Sequence, residues 1–188
     1  MLSADVAVAL APASTYARLV ARARPVSWRG ALARPLLVLV VLAVATAIAA
    51  TGRITASLFA SAMLLWSWVV LVQLAGGALM VLTAATRRVN AATAVDLFFA
   101  SHTPWTLWAI GVGMWAASGV DFSLELAIGI GLLASVWTAV ILAAFNREVL
   151  LVSRTEARMR TGVHQTLIWV VGLSYVAWMS GGWFRLVA

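Results

Sequence analysis

The chain of 188 residues contains no cysteine and no lysine. Without cysteine it has no disulfide, no thiolate nucleophile and no cysteine-ligated zinc or iron–sulfur centre. Without lysine it has neither a Schiff-base lysine nor the lysine of a phosphate-binding P-loop. Charged residues are also scarce, at 10% of the chain, whereas a soluble domain carries about 25%. These absences exclude several enzyme classes and do not identify a compartment.

Apolar residues make up most of the sequence. They make up 64% of the chain, and the mean hydropathy is +1.02. A soluble domain of this size could not bury so many apolar side chains. We therefore expect part of the surface of this protein to face lipid. We predict an all-α fold, a polytopic transmembrane bundle of about five spans with cytoplasmic interfacial helices. Residues 1–34 would form a cytoplasmic amphipathic and basic segment, and residues 35–188 the bundle.

Five apolar runs indicate the spans. Proline breaks or starts a helix, so Pro35 and Pro104 are expected near the first turns of spans one and three. Ser123 is expected to cap span four, and Glu156 and Arg160 could pair in the polar helix that precedes span five. The predicted spans cover residues 35–51, 55–86, 104–118, 123–145 and 164–180.

The N-terminal segment reads as an interfacial helix over part of residues 13–34. Ser14 or Thr15 could cap it, with Tyr16 on its apolar face and Arg18 and Arg22 on the other face. The alternative is a basic tail that only sets topology. Residues 1–12 lack a basic start and a long apolar stretch, so we expect them to be retained rather than removed as a signal peptide.

All 13 basic residues are arginines, and their distribution predicts the orientation. If the spans alternate, 11 of them fall on one side, and only Arg53 and Arg185 fall on the other. The positive-inside rule then predicts a cytoplasmic N-terminus and a C-terminus on the opposite side of the membrane, which we expect to be a bacterial inner membrane. We expect no nucleic acid partner, because the arginines flank apolar runs. Anionic lipid headgroups are the expected contacts of Arg18, Arg22, Arg87 and Arg88.

Small residues at a spacing of four predict where helices pack, because close approach drives association in lipid. One such ladder lies in span four and another in span three, so we expect these two spans to pack against each other through them. Gly76-Gly77 in span two permits a kink or a close contact. Gln73 is expected to bond to a neighbouring helix. An alternative is that the ladders reflect only an alanine-rich composition. The predicted packing residues are Ala109, Gly113, Ala117, Ala127, Gly131, Ser135 and Ala139, together with Gln73.

Candidate chemistry is limited to two histidines and a few carboxylates. His102 and His164 start spans three and five near the cytoplasmic interface, and Asp96 could join them. A bis-histidine haem, a chlorophyll or a metal ion is chemically feasible there. The alternative is that the histidines bond to backbone or headgroups, and we predict no cofactor and no metal. Asp121 and Glu125 fit a cation site or, as we favour, a solvated loop with a helix cap.

Tryptophan is abundant, with ten residues in the chain. Some can anchor the spans at the membrane interfaces, and others lie too deep for that role. The deep ones could pack within the bundle or against lipid, a pigment or another subunit. The deep tryptophans are Trp66, Trp68, Trp115 and Trp137.

The order of elements resembles the Yip1-domain family of small five-span membrane proteins. The similarity rests on residues 16–19 (YARL), the basic approach at Arg34-Pro35, two closely joined spans, and residues 96–105 (DLFFASHTPW) before span three. The family is associated with membrane organisation and trafficking in eukaryotes, whereas its bacterial members, the branch that this chain resembles, are mostly of unknown function. The resemblance implies no catalytic residue. The short N-terminal region and the many tryptophans depart from the family pattern.

These features favour a non-enzymatic membrane protein that acts as a scaffold or accessory subunit, with other membrane subunits or a second copy as partner. The first alternative is a transporter or channel for small solutes or lipid. The second is a subunit that binds a cofactor or pigment. A transport path would need polar residues within the spans, and the candidates are Gln73, Ser135, Thr138 and Asn146.

Overall fold

The computed structural model describes residues 2–118, 120–121 and 123–179. Within them it contains eight α-helices and no strand, so the all-α prediction is confirmed. The side chain of Ala117 and the whole of Arg185, both named above, lie outside the described residues. The helices are α1 (Leu2–Leu10), α2 (Pro12–Ala21), α3 (Trp28–Thr51), α4 (Ala56–Leu82), α5 (Ala91–Ala100), α6 (Thr103–Ala117), α7 (Leu124–Glu148) and α8 (Arg154–Met179).

Three of these helices are long and apolar enough to cross a bilayer, namely α3, α4 and most of α7. They correspond to predicted spans one, two and four. The other two predicted spans fall on α6, which has 15 residues, and on α8, whose first two turns carry charges such as Arg154 and Arg160. Membrane protein is therefore the supported class, and a count of five spans stays a prediction.

The five longest helices pack side by side in a ring. Helix α3 packs between α4 and α6, α6 packs against α7, and α7 packs against α8. The ring closes where α8 meets α4, and this contact is the least extensive of the five. The seam between α4 and α8 is therefore the loosest part of the bundle.

The three short helices form a layer at one end of this ring, which we call the cap. Helix α5 packs against α3, α4 and α7, and α2 packs along α7. Asn90 begins α5, because its side-chain oxygen accepts a hydrogen bond from the Thr93 amide at 2.7 Å. Phe98 of α5 and Phe145 of α7 are fully buried in the apolar core that joins the cap to the ring.

The N-terminal helices depart from the prediction in three ways. Helix α1 was not predicted. Helix α2 begins at Pro12 without a side-chain cap, and Thr15, one of the two predicted caps, instead donates a hydrogen bond to the Ala7 carbonyl at 3.0 Å. The cap prediction was wrong because proline suits the first turn of a helix, so the helix can start before either hydroxyl.

Helix α3 also starts earlier than predicted, so the expected break at Pro35 is wrong. Ser27 caps the helix, accepting a hydrogen bond from the Gly30 amide at 3.3 Å, and Pro35 lies in the helix interior. Membrane helices tolerate proline where neighbouring groups hold the turn, and Arg34 in that turn is held by two carboxylates. The predicted division between residues 34 and 35 thus falls inside α3. Ser123, by contrast, caps α7 as predicted.

Candidate functional site: a histidine pair beside an apolar groove

The fold brings together the two histidines of the chain. His102 occupies the turn between α5 and α6, and His164 lies on α8. Both are buried, with 5% and 3% of their surface exposed, and their Nε2 atoms are 3.2 Å apart. The sequence places both residues near one end of the bundle, but it does not indicate that they touch.

Hydrogen-bond partners assign the proton positions in this pair. Ser101 Oγ donates to the Phe98 carbonyl at 2.6 Å, and His102 Nδ1 lies 3.2 Å from the same carbonyl. Ser101 Oγ also lies 3.1 Å from His102 Nδ1, but its own proton is used in the short bond to the Phe98 carbonyl. Both oxygens next to His102 Nδ1 therefore accept, so His102 Nδ1 carries the proton and His102 Nε2 is an acceptor. His164 Nε2 must then be the donor between the rings. In the neutral pair, His164 Nδ1 is left with a lone pair.

That lone pair has no partner among the residues that the structure describes, since His164 Nδ1 is buried and makes no hydrogen bond to any of them. Burial, with a smaller contribution from His164, lowers the pKa of His102 to about 3, so the His102 ring is uncharged at neutral pH. A buried acceptor without a donor is unusual in a folded protein and requires an explanation.

Two glycines of α4 make the close packing around the histidines possible. A Cβ at Gly76 would lie 2.7 Å from His164 Nδ1, and a Cβ at Gly77 would lie 2.7 Å from the Phe98 ring. The Phe98 ring centroid is 4.6 Å from that of His102 and 5.3 Å from that of His164. The close helix contact that Gly76-Gly77 permits is therefore a contact with aromatic rings of α5 and α8.

The spacing of the two rings bears on the predicted alternatives of haem and metal. Two metal–nitrogen bonds in line are longer than the 3.2 Å between the Nε2 atoms, so no porphyrin fits between the rings as they stand. Among residues 2–118, 120–121 and 123–179, no group of three or more potential metal ligands is found. Among the described residues, the alternative of a bound cofactor therefore depends on the two histidines alone.

A groove follows the seam between α4 and α8, next to the pair. Its first part is a cavity of about 260 Å³ between the last two turns of α4 and the middle of α8, with Gly76 and His164 in its wall. Its second part is a cavity of about 200 Å³ further along the same two helices, where α6 joins the wall. The lining is apolar and includes Trp66, Trp68, Trp105, Trp108 and Trp169.

Arg160, the one charged residue in the described part of the groove wall, is fully engaged by other residues. Arg160 donates to the Met80 carbonyl at 3.0 Å and to Thr83 Oγ1 at 3.0 Å, which satisfies the C-terminal end of α4. It also pairs with Glu156 at 2.8 Å, as the spacing of four predicts. The guanidinium therefore closes the end of α4 rather than standing free for a ligand.

A second charged cluster joins the cap to α3. Arg34 contacts Asp5 of α1 and lies 3.3 Å from Asp96 of α5. Burial raises the pKa of Asp96, and the Arg34 guanidinium opposes that rise. Asp96 thus pairs with Arg34 and does not join the histidines. The sequence did contain a signal for this pairing: Asp96 is a carboxylate within an apolar helix, and such a carboxylate requires a cationic partner.

The cap is also held by Tyr16. Its hydroxyl donates to the Leu97 carbonyl at 3.1 Å, and its ring packs edge-on against Phe145 at 5.9 Å. Burial raises the pKa of Tyr16, so the hydroxyl keeps its proton. The apolar face predicted for the first interfacial helix is therefore the face that binds α2 to the bundle.

The residues predicted to pack lie on several helix faces. Ala127, Gly131 and Ser135 are buried on α7, and a Cβ at Gly131 would lie 2.9 Å from the Trp108 ring of α6. The nearest side chain to a Cβ at Gly113 would instead be that of Ala45 on α3, at 3.4 Å. The two ladders therefore serve different contacts. Ala109 and Gln73 are buried, and Ala139 is half-buried.

The remaining predicted residues separate into exposed and buried groups. The four arginines expected at headgroups, Arg18, Arg22, Arg87 and Arg88, are all exposed. The four polar candidates for a transport path, Gln73, Ser135, Thr138 and Asn146, are all buried. None of those four lines either part of the groove.

Comparison with family models, with curated proteins and with solved structures gives no match for this chain.

Proposed function

We propose that the chain is a five-span protein of a bacterial inner membrane that acts without catalysis, as a scaffold or accessory subunit of a membrane assembly. Its N-terminus would lie in the cytoplasm and its C-terminus on the opposite side, as the positive-inside rule favours. A relationship to the Yip1-domain family stays a prediction that agrees with this role.

The observation that carries the proposal is the construction of the cap. Its helices are fixed by part-buried ion pairs of Arg34 with two carboxylates and by the buried hydrogen bond from Tyr16 to α5. The backbone amide of Arg88 also bonds to the Val149 carbonyl at 3.0 Å, which ties the loop before α5 to the end of α7. A scaffold requires such a rigid surface, because a partner then binds without first ordering it.

The cap also presents the charge that a partner surface would use. Exposed arginine side chains lie on its surface, and a cationic surface next to a membrane attracts anionic headgroups and acidic protein segments. Arginine is favoured at protein interfaces because its planar guanidinium forms paired hydrogen bonds with carboxylates and phosphates. The exposed arginines of the cap and its loops are Arg18, Arg22, Arg24, Arg87 and Arg88, and Arg29 is exposed on the adjoining first turn of α3.

Purification from the native membrane in a mild detergent tests this role. We expect the wild-type chain to migrate as an assembly larger than its monomer, and an Arg22→Gln/Arg88→Gln variant to shift toward the monomer. Arg53→Gln is the matched control, because it removes an exposed arginine from the loop between α3 and α4 and should leave the assembly intact. A wild-type protein that migrates as a lone monomer would contradict the proposal.

A further inference from the structure

We propose that the groove between α4 and α8 binds a neutral lipid alcohol, a long hydrocarbon with a hydroxyl at its polar end, and that this hydroxyl donates a hydrogen bond to His164 Nδ1. The proposal goes beyond the scaffold role and does not depend on it. It rests on the unpartnered atom, on the absence of a free charge in the described groove wall, and on the continuity of the two cavities.

The unpartnered atom specifies the kind of group that is recognised. The bond between the histidines makes His164 Nε2 a donor, so Nδ1 can only accept. Nδ1 lies 2.7 Å from the position of a Gly76 Cβ, and Gly76 and His164 both belong to the groove wall. The atom is covered by Gly76 as the helices stand, so a hydroxyl in the groove reaches this acceptor when the loose α4–α8 contact opens. A hydroxyl is the smallest uncharged donor that a lipid carries.

The rest of the wall excludes an anionic headgroup as the preferred ligand. Arg160 is engaged by Glu156, Met80 and Thr83, and the Thr83 hydroxyl donates to the Leu79 carbonyl at 2.7 Å. A phosphate would thus find no free cation in the described wall, and its charge would be costly to bury there. A neutral polar end carries no such cost.

The second cavity provides space for the hydrocarbon. On α8 the first cavity ends at Leu167 and the second begins at Ile168, and on α4 they are separated by one turn, between Val72 and Gly76. Flat indole rings pack well against an apolar chain. A chain whose hydroxyl is at His164 would therefore extend along the seam into the tryptophan-lined part.

The ligand can enter from the bilayer. The α4–α8 contact is the loosest in the ring, and residues along the rim, such as Leu79 at 60% exposure and Leu173 at 61%, face outward. A lipid alcohol dissolved in the membrane could thus move sideways into the groove without crossing the cap.

Competition binding in lipid nanodiscs tests the proposal, with tritiated farnesol as the probe. The competitors are farnesol and dioleoylglycerol, each compared with its methyl ether, which lacks the donor hydrogen. We expect at least one alcohol to compete at a tenfold lower mole fraction than its ether. Competition by farnesol would identify an isoprenoid source of the hydroxyl, and competition by dioleoylglycerol a glycerolipid source, and either result supports the proposal.

Variants locate the binding site. Leu79→Trp should fill the groove and reduce farnesol binding at least tenfold, whereas Leu133→Trp, on an exposed face of α7 at 70% exposure, should not change it. His164→Phe should remove the preference for alcohol over ether. If His164→Phe does not yield monodisperse protein, the test rests on two measurements: the preference of the wild type for alcohol over ether, and the binding of farnesol to Leu79→Trp.

Three results would overturn the proposal. Equal competition by alcohol and ether on the wild type would show that Nδ1 recognises no donor. Unchanged binding in Leu79→Trp would place the ligand elsewhere. A stoichiometric transition metal in the purified protein would mean that the histidine nitrogens are ligands to that metal rather than partners of a hydroxyl.

Discussion

Replacing Arg34 by alanine is expected to destabilise the protein by about 3 kcal/mol, the largest effect of a single substitution that we predict. Arg34 retains 12% exposure of its side chain, and Asp5 and Asp96 retain 19% each. Removing one partner of a buried ion pair costs about 3–5 kcal/mol, because the other charge is left uncompensated. The lower end applies here because both carboxylates keep some contact with solvent. Unfolding by sodium dodecyl sulfate in mixed micelles, followed by tryptophan fluorescence, measures the change.

Two variants control this experiment. Arg29 lies on the same helix and is exposed, so Arg29→Ala should change the free energy of unfolding by less than about 0.5 kcal/mol. Adding Asp5→Asn and Asp96→Asn to Arg34→Ala removes the two unpaired charges and should recover part of the lost stability. Equal effects of Arg34→Ala and Arg29→Ala would show that the cluster does not hold the cap.

Gly77→Ala is expected to cost about 2 kcal/mol, although alanine is the better helix former. The added Cβ would lie 2.7 Å from two atoms of the Phe98 ring, which is closer than two carbon atoms can pack. The ring is fully buried, so the helices must move apart or the ring must leave its rotamer, and overpacking of this kind costs about 1–3 kcal/mol. The same unfolding measurement detects the loss.

Gly129 supplies the control for this prediction. It is exposed on α7, and a Cβ there would meet nothing within 4 Å. Gly129→Ala should therefore be neutral or stabilising by up to about 1 kcal/mol, as helix propensity predicts. In the Gly77→Ala protein, Phe98→Leu should relieve the clash. If Gly77→Ala were as stable as the wild type, α4 and α5 would not be packed as closely as the structure shows.

Composition and apolar run length were sufficient to predict the class of fold. Uncharged stretches within residues 35–51 and 55–86 indicate helices in lipid whatever their neighbours are. The same patterns could not predict α1, because residues 2–10 are too short and too weakly amphipathic to indicate a helix by themselves. That helix is stabilised by tertiary contacts, including the hydrogen bond from Trp137 Nε1 to the Ala9 carbonyl at 2.9 Å.

The candidate site was predictable only in part. The two histidines stand out because the chain has no others, and both fall at predicted helix ends. Their contact depends on how α8 packs beside the turn between α5 and α6. The two histidines are 62 positions apart in sequence, and no local sequence pattern predicts a contact between residues so far apart. The pairing of Asp96 with Arg34 likewise depends on α3 starting at Trp28. The sequence did not predict that start, because Pro35 was expected to lie in the first turn of the helix.

Cysteine labelling from outside the cell tests most directly the central claim, a five-span bundle whose cap faces the cytoplasm. The chain has no cysteine of its own, so single cysteines can replace Thr86, Val120, Thr155 and Ala188 in turn. Thr86, Val120 and Thr155 are exposed, and Ala188 reports on the C-terminus. We expect an impermeant maleimide to label positions 120 and 188 in intact spheroplasts, and positions 86 and 155 only after permeabilisation. Labelling at position 155 together with protection at position 188 would contradict the five-span arrangement.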